Sequence, residues 1–314
     1  MIENMRCLVA DDIHPVLLTE LESAGLQVDY LPQLSREEFL YEIPNADILV
    51  IRSRFLIDNQ AISLGSRLKI IARAGAGLDG IDVAFAESRG ISVLHAAEGN
   101  SDALAEHVLG MILGLLARIP EADRSIRNGI WDREGFRGRE LKGKTVGLIG
   151  YGNMGSAVAS RLFAFGCRVI AYDKYRIDWP ENRTERVGQE ELMQMADIIS
   201  LHVPLTDETR GFINKKYLEG CKEGVILINT SRGSVLDITG LESLLDSGCL
   251  SGLALDVFPE EPLFKKNIQY KTEISGLLSR QNVLSTPHVA GWTSESYEKI
   301  SKVLAGKILK AITH

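Results

Sequence analysis

The sequence predicts an α/β protein built on two doubly wound parallel sheets, and three observations predict it. Short, continuously apolar runs of four or five residues alternate with stretches of helical spacing along most of the 314-residue chain. The runs are apolar throughout rather than alternating, as strands covered on both faces must be. And one stretch, 145–173, reads as strand, glycine-rich turn, helix and second strand in immediate succession. The length suits two domains, and 45% apolar with 25% charged residues are values of a chain that buries a large core. The net charge of −7 argues against nucleic-acid binding by bulk charge. No apolar run reaches the ~18 residues that a membrane helix requires. A strand-like run starts almost at once after Met1, so no signal peptide is expected. The four cysteines, Cys7, Cys167, Cys221 and Cys249, form no CxxC pair. Buried thiols in a reducing cytoplasm are therefore expected, without a metal site.

In chain order, 6–10 reads as a strand and 14–24 as a helix closed by Gly25. A short strand follows at 26–30. Ser35 opens a helix, with Glu38 three residues on as a capping box. The strand 47–51 ends on Arg52-Ser53-Arg54, and the strand 68–72 on Arg73-Ala74-Gly75-Ala76-Gly77. Asp82 caps a short helix that runs to Ser88, and 91–94 is a further strand. Both arginine-bearing segments follow C-terminal strand ends, the edge on which open α/β sheets bind ligands. A guanidinium beside small residues with exposed N–H groups makes a cradle for a carboxylate or phosphate. The competing reading is that these arginines are merely solvated. The stretch 101–118 is helical and apolar over most of its surface, so it is buried on several sides. The stretch 120–141 is polar, carries Trp131 and Phe136, and reads as an arm or loop. A domain boundary therefore falls near Asn100.

The central unit follows. The apolar run 146–149 ends in Gly150-Tyr151-Gly152-Asn153-Met154-Gly155, a helix runs from 156 to 165, and a second strand at 169–172 ends on Asp173. Gly150 permits the tight turn, Gly152 lets backbone approach a pyrophosphate, and Gly155 lets the helix pack close on the strand. The helix N-terminus offers free N–H groups to phosphates, and Asp173 can accept hydrogen bonds from a ribose diol. Strand, turn, helix, second strand and terminal acid together predict a dinucleotide site. Beyond it, the strand 198–201 ends on His202-Val203-Pro204, and 225–228 on Asn229-Thr230-Ser231-Arg232-Gly233. A helix at 237–247 stops at Gly248. The strand 252–255 ends on Asp256, the strand 282–285 ends on Thr286-Pro287-His288, and the last helix runs from 294 to 312.

Three strand ends of this second half carry Arg232, Glu261 and His288. Parallel strands share one C-terminal edge, so these residues are expected to converge near the nicotinamide end of a bound NAD. Hydride exchange between an alcohol and NAD requires a base for the hydroxyl proton, a cation for the substrate carboxylate and forming carbonyl, and a group that tunes the base. His288 suits the first task, its ordinary pKa lying near ~6.5. Arg232, permanently charged and bidentate, suits the second. Glu261 suits the third, because a nearby carboxylate raises a histidine pKa. His14, His95 and His107 read as structural, as does His314.

The stretches RAGAGLDGID, VGLIGYGNMG, HVPLTDETRGFIN, LINTSRGSVLD, LALDVFPEEP and TPHVAG, in this order, resemble the D-isomer-specific 2-hydroxyacid dehydrogenase family. The resemblance implies two Rossmann-like domains with the active site in the cleft between them. A discontinuous substrate domain would comprise 1–100 with 289–314, and an NAD-binding domain 101–288. The helix and arm at 101–141 would join a homodimer. It implies Arg232, Glu261 and His288 as catalytic residues. NAD contacts would come from Ala76, Gly150, Gly152, Asn153, Met154, Gly155, Asp173, His202, Val203, Pro204, Thr209, Thr230, Ser231, Asp256, Ala290 and Gly291. The substrate, a small 2-hydroxy or 2-keto acid, would meet Arg52, Ser53, Arg73, Gly75, Gly77 and Asn100. Arg52-Ser53 and Arg73-Ala74-Gly75 look most like the branch that acts on 3-phosphoglycerate, although Ala76 stands where that branch commonly has threonine and 262–287 is longer than usual. The chain ends just after the last helix, so no appended regulatory domain is expected. A glyoxylate or hydroxypyruvate reductase is the alternative activity, and an NAD-sensing corepressor the alternative of another class.

Overall fold

The computed structural model describes residues 5–179, 183–263 and 268–313. The opening residues on which the signal-peptide expectation rests, His314, and residues 264–267 of the long 262–287 stretch lie outside the described residues. The chain divides into two compact units, Met1–Ser101 with Trp292–His314, and Asp102–Gly291.

The first unit alternates strand and helix: β1 (Arg6–Val9), α1 (Pro15–Ser23), β2 (Gln27–Tyr30), α2 (Arg36–Glu42), β3 (Ile48–Ile51), α3 (Asn59–Leu64), β4 (Ile70–Arg73), α4 (Val83–Ser88) and β5 (Ser92–His95). All five strands are parallel, in the order β2-β1-β3-β4-β5. The helix starts are locally encoded. The His14 side chain caps α1 just ahead of Pro15. Ser35 and Glu38 form both halves of a capping box on α2, at 3.2 and 2.8 Å, while Asp58 and Asp82 cap α3 and α4. Successive strand residues feed opposite core layers, which is why the strands are apolar without alternation. Cys7, Val9, Ile48 and Val50 pack with Leu17, Leu21 and with Ile300, Leu304 and Ile308 of the closing helix, Ser294–Thr313. Leu8, Leu49, Ile51 and Ile71 pack with Phe39, Ile43 and Ile62.

The second unit contains α5 (Ser101–Leu116), α6 (Ile119–Arg127), β6 (Thr145–Ile149), α7 (Asn153–Ala164), β7 (Arg168–Tyr172), β8 (Glu185–Arg186), α8 (Gln189–Met195), β9 (Ile198–Leu201), α9 (Lys215–Glu219), β10 (Val225–Asn229), α10 (Leu241–Ser247), β11 (Leu250–Leu255), α11 (Ile268–Leu278) and β12 (Val283–Ser285). Its seven parallel strands run β12-β11-β10-β9-β6-β7-β8. The order reverses between β6 and β9, so the crevice at their C-terminal ends is the switch point at which such sheets bind ligands. Among the described residues no single helix is long and apolar enough to cross a membrane.

Several sequence expectations need correction. The arm 120–141 is not all loop, since α6 opens it. The helix expected at 101–118 stops at Leu116, because Arg118 takes a left-handed φ of +56° and Pro120 follows. The helix expected from Asp237 begins only at Leu241: the Asp237 carboxylate accepts the Thr239 N–H at 3.0 Å, and Gly240 turns the chain at φ +79°. The return into the first unit comes after Gly291 rather than after 288, because the Val289 and Ala290 N–H groups are tied to Asp256.

Candidate active site

The switch point is built by glycines with separate tasks. Gly150 turns at φ +93°, and a Cβ there would lie 2.4 Å from the His202 carbonyl oxygen. A Cβ on Gly155 would lie 2.2 Å from the Gly150 carbonyl oxygen, so α7 crosses β6 only as glycine. Gly152 has nothing within 4 Å of the same position. It stands at the start of α7 without a side-chain cap, and Asn153 and Met154 open the helix. The start of α7 thus has no side-chain cap and open space at Gly152, as the approach of a pyrophosphate requires. Asp173 follows β7. Its Oδ2 accepts the Tyr151 N–H at 2.8 Å, and its Oδ1 accepts the Tyr175 and Arg176 N–H groups at 3.0 Å each. The nearby cations are engaged: Lys174 meets Glu208 at 2.7 Å, and Arg176 donates to the Tyr151 and Asp178 carbonyls.

Among the described residues, the neighbouring strand ends add polar atoms without partners. After β9, burial drives the His202 pKa down to about 4, so the ring is neutral. Its Nε2 meets Ser200 Oγ at 3.0 Å, while its Nδ1 is buried and has no partner. Val203 packs against Gly150. The Thr209 hydroxyl donates to the Pro204 carbonyl at 2.7 Å and so closes the loop beyond. After β10, the buried Thr230 hydroxyl also lacks a partner. Open glycine, bare helix end, anchored acid and orphaned polar atoms fit a dinucleotide lying along this edge.

The same edge carries the candidate catalytic group. At the end of β10 the buried Asn229 accepts the Ser231 N–H and hydroxyl at 3.0 and 2.8 Å, and donates to the Arg232 carbonyl at 3.0 Å. This turn sets the backbone of Arg232. Gly233 then packs so tightly on the loop after β11 that a Cβ would fall 1.8 Å from the Phe258 carbonyl carbon. That close approach brings the Arg232 loop beside the loop of Glu261. Glu261 accepts the Phe258 N–H at 2.8 Å through Oε1 and meets His288 Nδ1 at 2.6 Å through Oε2. With Nδ1 donating to the carboxylate, Nε2 is the nitrogen left for chemistry.

The electrostatics follow from this contact. The hydrogen bond to Glu261 raises the His288 pKa above its ordinary value, against burial and the Arg232 charge. Burial pushes Glu261 up, but its hydrogen bonds to His288 and the Phe258 N–H, helped by Arg232, leave it below the usual carboxylate range. The two side chains are 51% and 34% exposed, so solvent screens part of the pairing.

Asp256 holds the histidine loop from below. It is completely buried. Oδ1 accepts the Thr286 hydroxyl at 2.6 Å and the Val289 N–H at 2.8 Å, and Oδ2 accepts the Ala290 N–H at 2.9 Å. The Asp256 carbonyl accepts the His288 N–H at 2.7 Å. His107 on α5 completes the network through Thr286, at 3.0 Å. Ser231 and Asp256, assigned by resemblance to the cofactor, thus direct their side chains into the turns that carry Arg232 and His288. In the sequence alone Asn229 and Thr286 have no task, and His107 reads as structural. Asn229 did leave a signal, as a polar residue closing an apolar strand.

The first unit presents its own sheet edge. Asp11, nearly buried after β1, accepts the N–H groups of Arg52, Ser53 and Arg54 at 2.9, 2.8 and 3.0 Å. Arg73 donates from Nε to the Arg52 carbonyl at 3.1 Å. Gly75, at φ +148°, makes room for that side chain: a Cβ there would lie 1.9 Å from Arg73 Nη1. Ala76 and Gly77 follow, half-buried, and Asn100 has a buried side-chain oxygen without a partner among the described residues. Asp11 was also missed, since its work is done on backbone far along the chain.

Residues 109–290 match the family "D-isomer specific 2-hydroxyacid dehydrogenase, NAD binding domain". The chain belongs to the D-isomer specific 2-hydroxyacid dehydrogenase family. Members of this family are NAD-dependent oxidoreductases acting on CH–OH donors. The chain is 37% identical over 310 residues to a D-3-phosphoglycerate dehydrogenase of Archaeoglobus fulgidus, covering 97% of this chain and 57% of that protein. It therefore spans little more than half the length of such relatives. It is 41% identical over 281 residues to a hydroxypyruvate reductase of Thermotoga maritima, covering 89% of both chains. The solved structure of a D-lactate dehydrogenase from Aquifex aeolicus, complexed with NAD and lactic acid, superposes with a TM-score of 0.83 at 30% identity, over 98% of this chain and 95% of that one. The two parallel-sheet units are Rossmann-like, as the family's sequence pattern implies.

Proposed function

We propose that the protein is an NAD-dependent D-2-hydroxyacid dehydrogenase that interconverts 3-phosphoglycerate and phosphohydroxypyruvate. The observation that carries the reading is the Glu261–His288 pair, at 2.6 Å, beside the Arg232 loop. In the reducing direction Arg232 grips the substrate carboxylate and polarises the 2-keto group. His288 donates a proton from Nε2 to the keto oxygen, while Glu261 fixes Nδ1 and favours the charged ring. In the oxidising direction neutral His288 takes the hydroxyl proton back. Gly152, the start of α7 and Asp173 would hold NAD, which would supply the hydride acceptor or donor for carbon 2 of the substrate. Arg52 and Arg73 are assigned to the phosphate, because a buried dianion needs paired cations. Phosphoglycerate dehydrogenases at 35–37% identity support this substrate. The 41% identity to a hydroxypyruvate reductase favours a second reading, the unphosphorylated acid.

The deciding experiment is NADH oxidation with phosphohydroxypyruvate, hydroxypyruvate, glyoxylate and pyruvate. The highest kcat/KM is expected on the phosphorylated acid, and its absence there leaves the small-acid reductase. NADH binding without turnover on any acid would point instead to an NAD-sensing binding protein. Arg73→Ala is expected to raise KM for phosphohydroxypyruvate about tenfold or more, with hydroxypyruvate little changed. Equal losses on both substrates would assign Arg73 to structure or to the shared carboxylate.

A homodimer belongs to the same proposal. The amphipathic helix α6 and the segment after it leave Ile119, Ile126, Ile130 and Trp131 at 57%, 55%, 57% and 84% exposure, and a second copy is the assigned cover. The four unpaired cysteines support a reducing, cytoplasmic setting.

A further inference from the structure

Trp292 is the first residue of the segment that returns to the first unit, and its position is fixed from two sides. Thr293 and Ser296 cap the closing helix reciprocally: the Thr293 N–H donates to Ser296 Oγ at 2.9 Å, and the Ser296 N–H to Thr293 Oγ1 at 3.0 Å. The residue before such a cap packs on the fourth helical residue as a staple, which orients the incoming chain. Trp292 does so, meeting Tyr297 edge to face with centroids 5.5 Å apart. Tyr297 in turn meets His14 at 5.5 Å. The indole is therefore braced rather than loose, yet 46% exposed.

Arg52 lies over this ring, its Cζ 3.7 Å from the centroid. The contrast with other arginines of the same unit is informative. Arg6, Arg36 and Arg67 each pair with a carboxylate. Among the described residues no carboxylate or carbonyl accepts from the Arg52 guanidinium, although its backbone N–H is tied to Asp11 and its carbonyl to Arg73. An indole attracts a cation through its ring face and takes none of the guanidinium's in-plane N–H groups. Arg52 is thus anchored by backbone and by ring while its hydrogen-bonding capacity is kept for something else.

We propose that Trp292 is a specificity-determining positioning residue, which holds the Arg52 guanidinium ready for the phosphate of a phosphorylated 2-keto acid. This rests on the assignment of Arg52 to the far end of the substrate. Trp292 acts through Arg52, whose guanidinium lies over its ring, so its effect falls on recognition of the charged end.

The test is steady-state kinetics with NADH on phosphohydroxypyruvate and hydroxypyruvate, for the parent, Trp292→Leu, Trp292→Phe, Arg52→Ala and the Trp292→Leu/Arg52→Ala double variant. Trp292→Leu is expected to raise KM for phosphohydroxypyruvate by about five- to tenfold, with kcat and the KM for hydroxypyruvate within about twofold. Trp292→Phe keeps an aromatic face and the staple, and is expected to recover most of the loss. In the Arg52→Ala background Trp292→Leu is expected to add nothing on the phosphorylated substrate. Equal losses on both substrates, or an additive loss in the double variant, would make Trp292 a merely structural residue and overturn the proposal. So would an unchanged Trp292→Leu enzyme beside a damaged Arg52→Ala enzyme, which would leave the assignment of Arg52 intact. If Arg52→Ala changes neither KM, or the parent does not turn over phosphohydroxypyruvate, the underlying substrate assignment fails and the proposal with it.

Discussion

His288 holds a left-handed backbone conformation, φ +57°, that residues with a Cβ adopt only when their surroundings over-determine it. Asp256 supplies that determination. Its carbonyl takes the His288 N–H, and its carboxylate takes the two N–H groups that follow. The ring itself is tuned by Glu261. Because the hydrogen bond to Glu261 raises the histidine pKa, the ring holds its proton to higher pH than an ordinary imidazole does, as the proposed keto-acid reduction requires. Glu261→Gln is therefore expected to move the alkaline limb of the reductive kcat/KM profile to lower pH, and an unchanged profile would break the pairing. His288→Ala is expected to lower kcat by roughly 10²–10⁴. The pair also links to stability, with opposite signs on its two sides. The histidine contribution is full below its unfolded pKa and fades as pH rises through the raised folded value. The Glu261 contribution is full above its unfolded pKa and is lost as pH falls through the lowered folded value.

At the scale of the element, β6, α7 and β7 separate two uses of glycine that a motif alone runs together. Gly155→Ala must push apart α7 and the Gly150 carbonyl, and is expected to cost about 1–3 kcal/mol in chemical denaturation. Gly152→Ala meets no protein atom and has an ordinary φ of −84°. It is expected to fold like the parent yet bind NADH more weakly, which calorimetry would detect. Normal NADH affinity in Gly152→Ala would remove the pyrophosphate from this turn. Lys174 is paired to Glu208 and Arg176 is spent on carbonyls, so neither cation next to Asp173 is left to attract the 2′-phosphate of NADP. Preference for NAD over NADP by at least about tenfold in kcat/KM is expected, and equal use would remove Asp173 from that task. These elements were legible because their signals are local: glycine spacing, a capping box three residues long, an acid at a strand end. Residues 237–240 were not, since an Asp side chain captured the backbone before the helix could start. Within the site, Arg232, Glu261 and His288 stood out as polar groups at strand ends. Asp11 did not, and Asp256 was assigned to the cofactor rather than to the histidine loop, because their side chains turn inward to backbone, in the case of Asp11 41 to 43 positions away. Pattern reading does not see such pairings.

For the molecule as a whole, the uncovered face of α6 and the arm sets the expected assembly. Sedimentation or light scattering is expected to give a dimer, and Ile126→Glu with Trp131→Ala to give monomers; a parent that stays monomeric at micromolar concentration would leave that face without its assigned cover. The tie between Asp11 and the chain beyond β3 reaches further. Three backbone N–H groups end on one carboxylate whatever side chains residues 52, 53 and 54 carry. The course of that loop is thus set by a residue elsewhere, and not by the side chains the loop itself presents. A side-chain exchange at 52, 53 or 54 leaves that tether in place, so the charge this edge offers to an acid can be altered while the backbone that presents it stays moored.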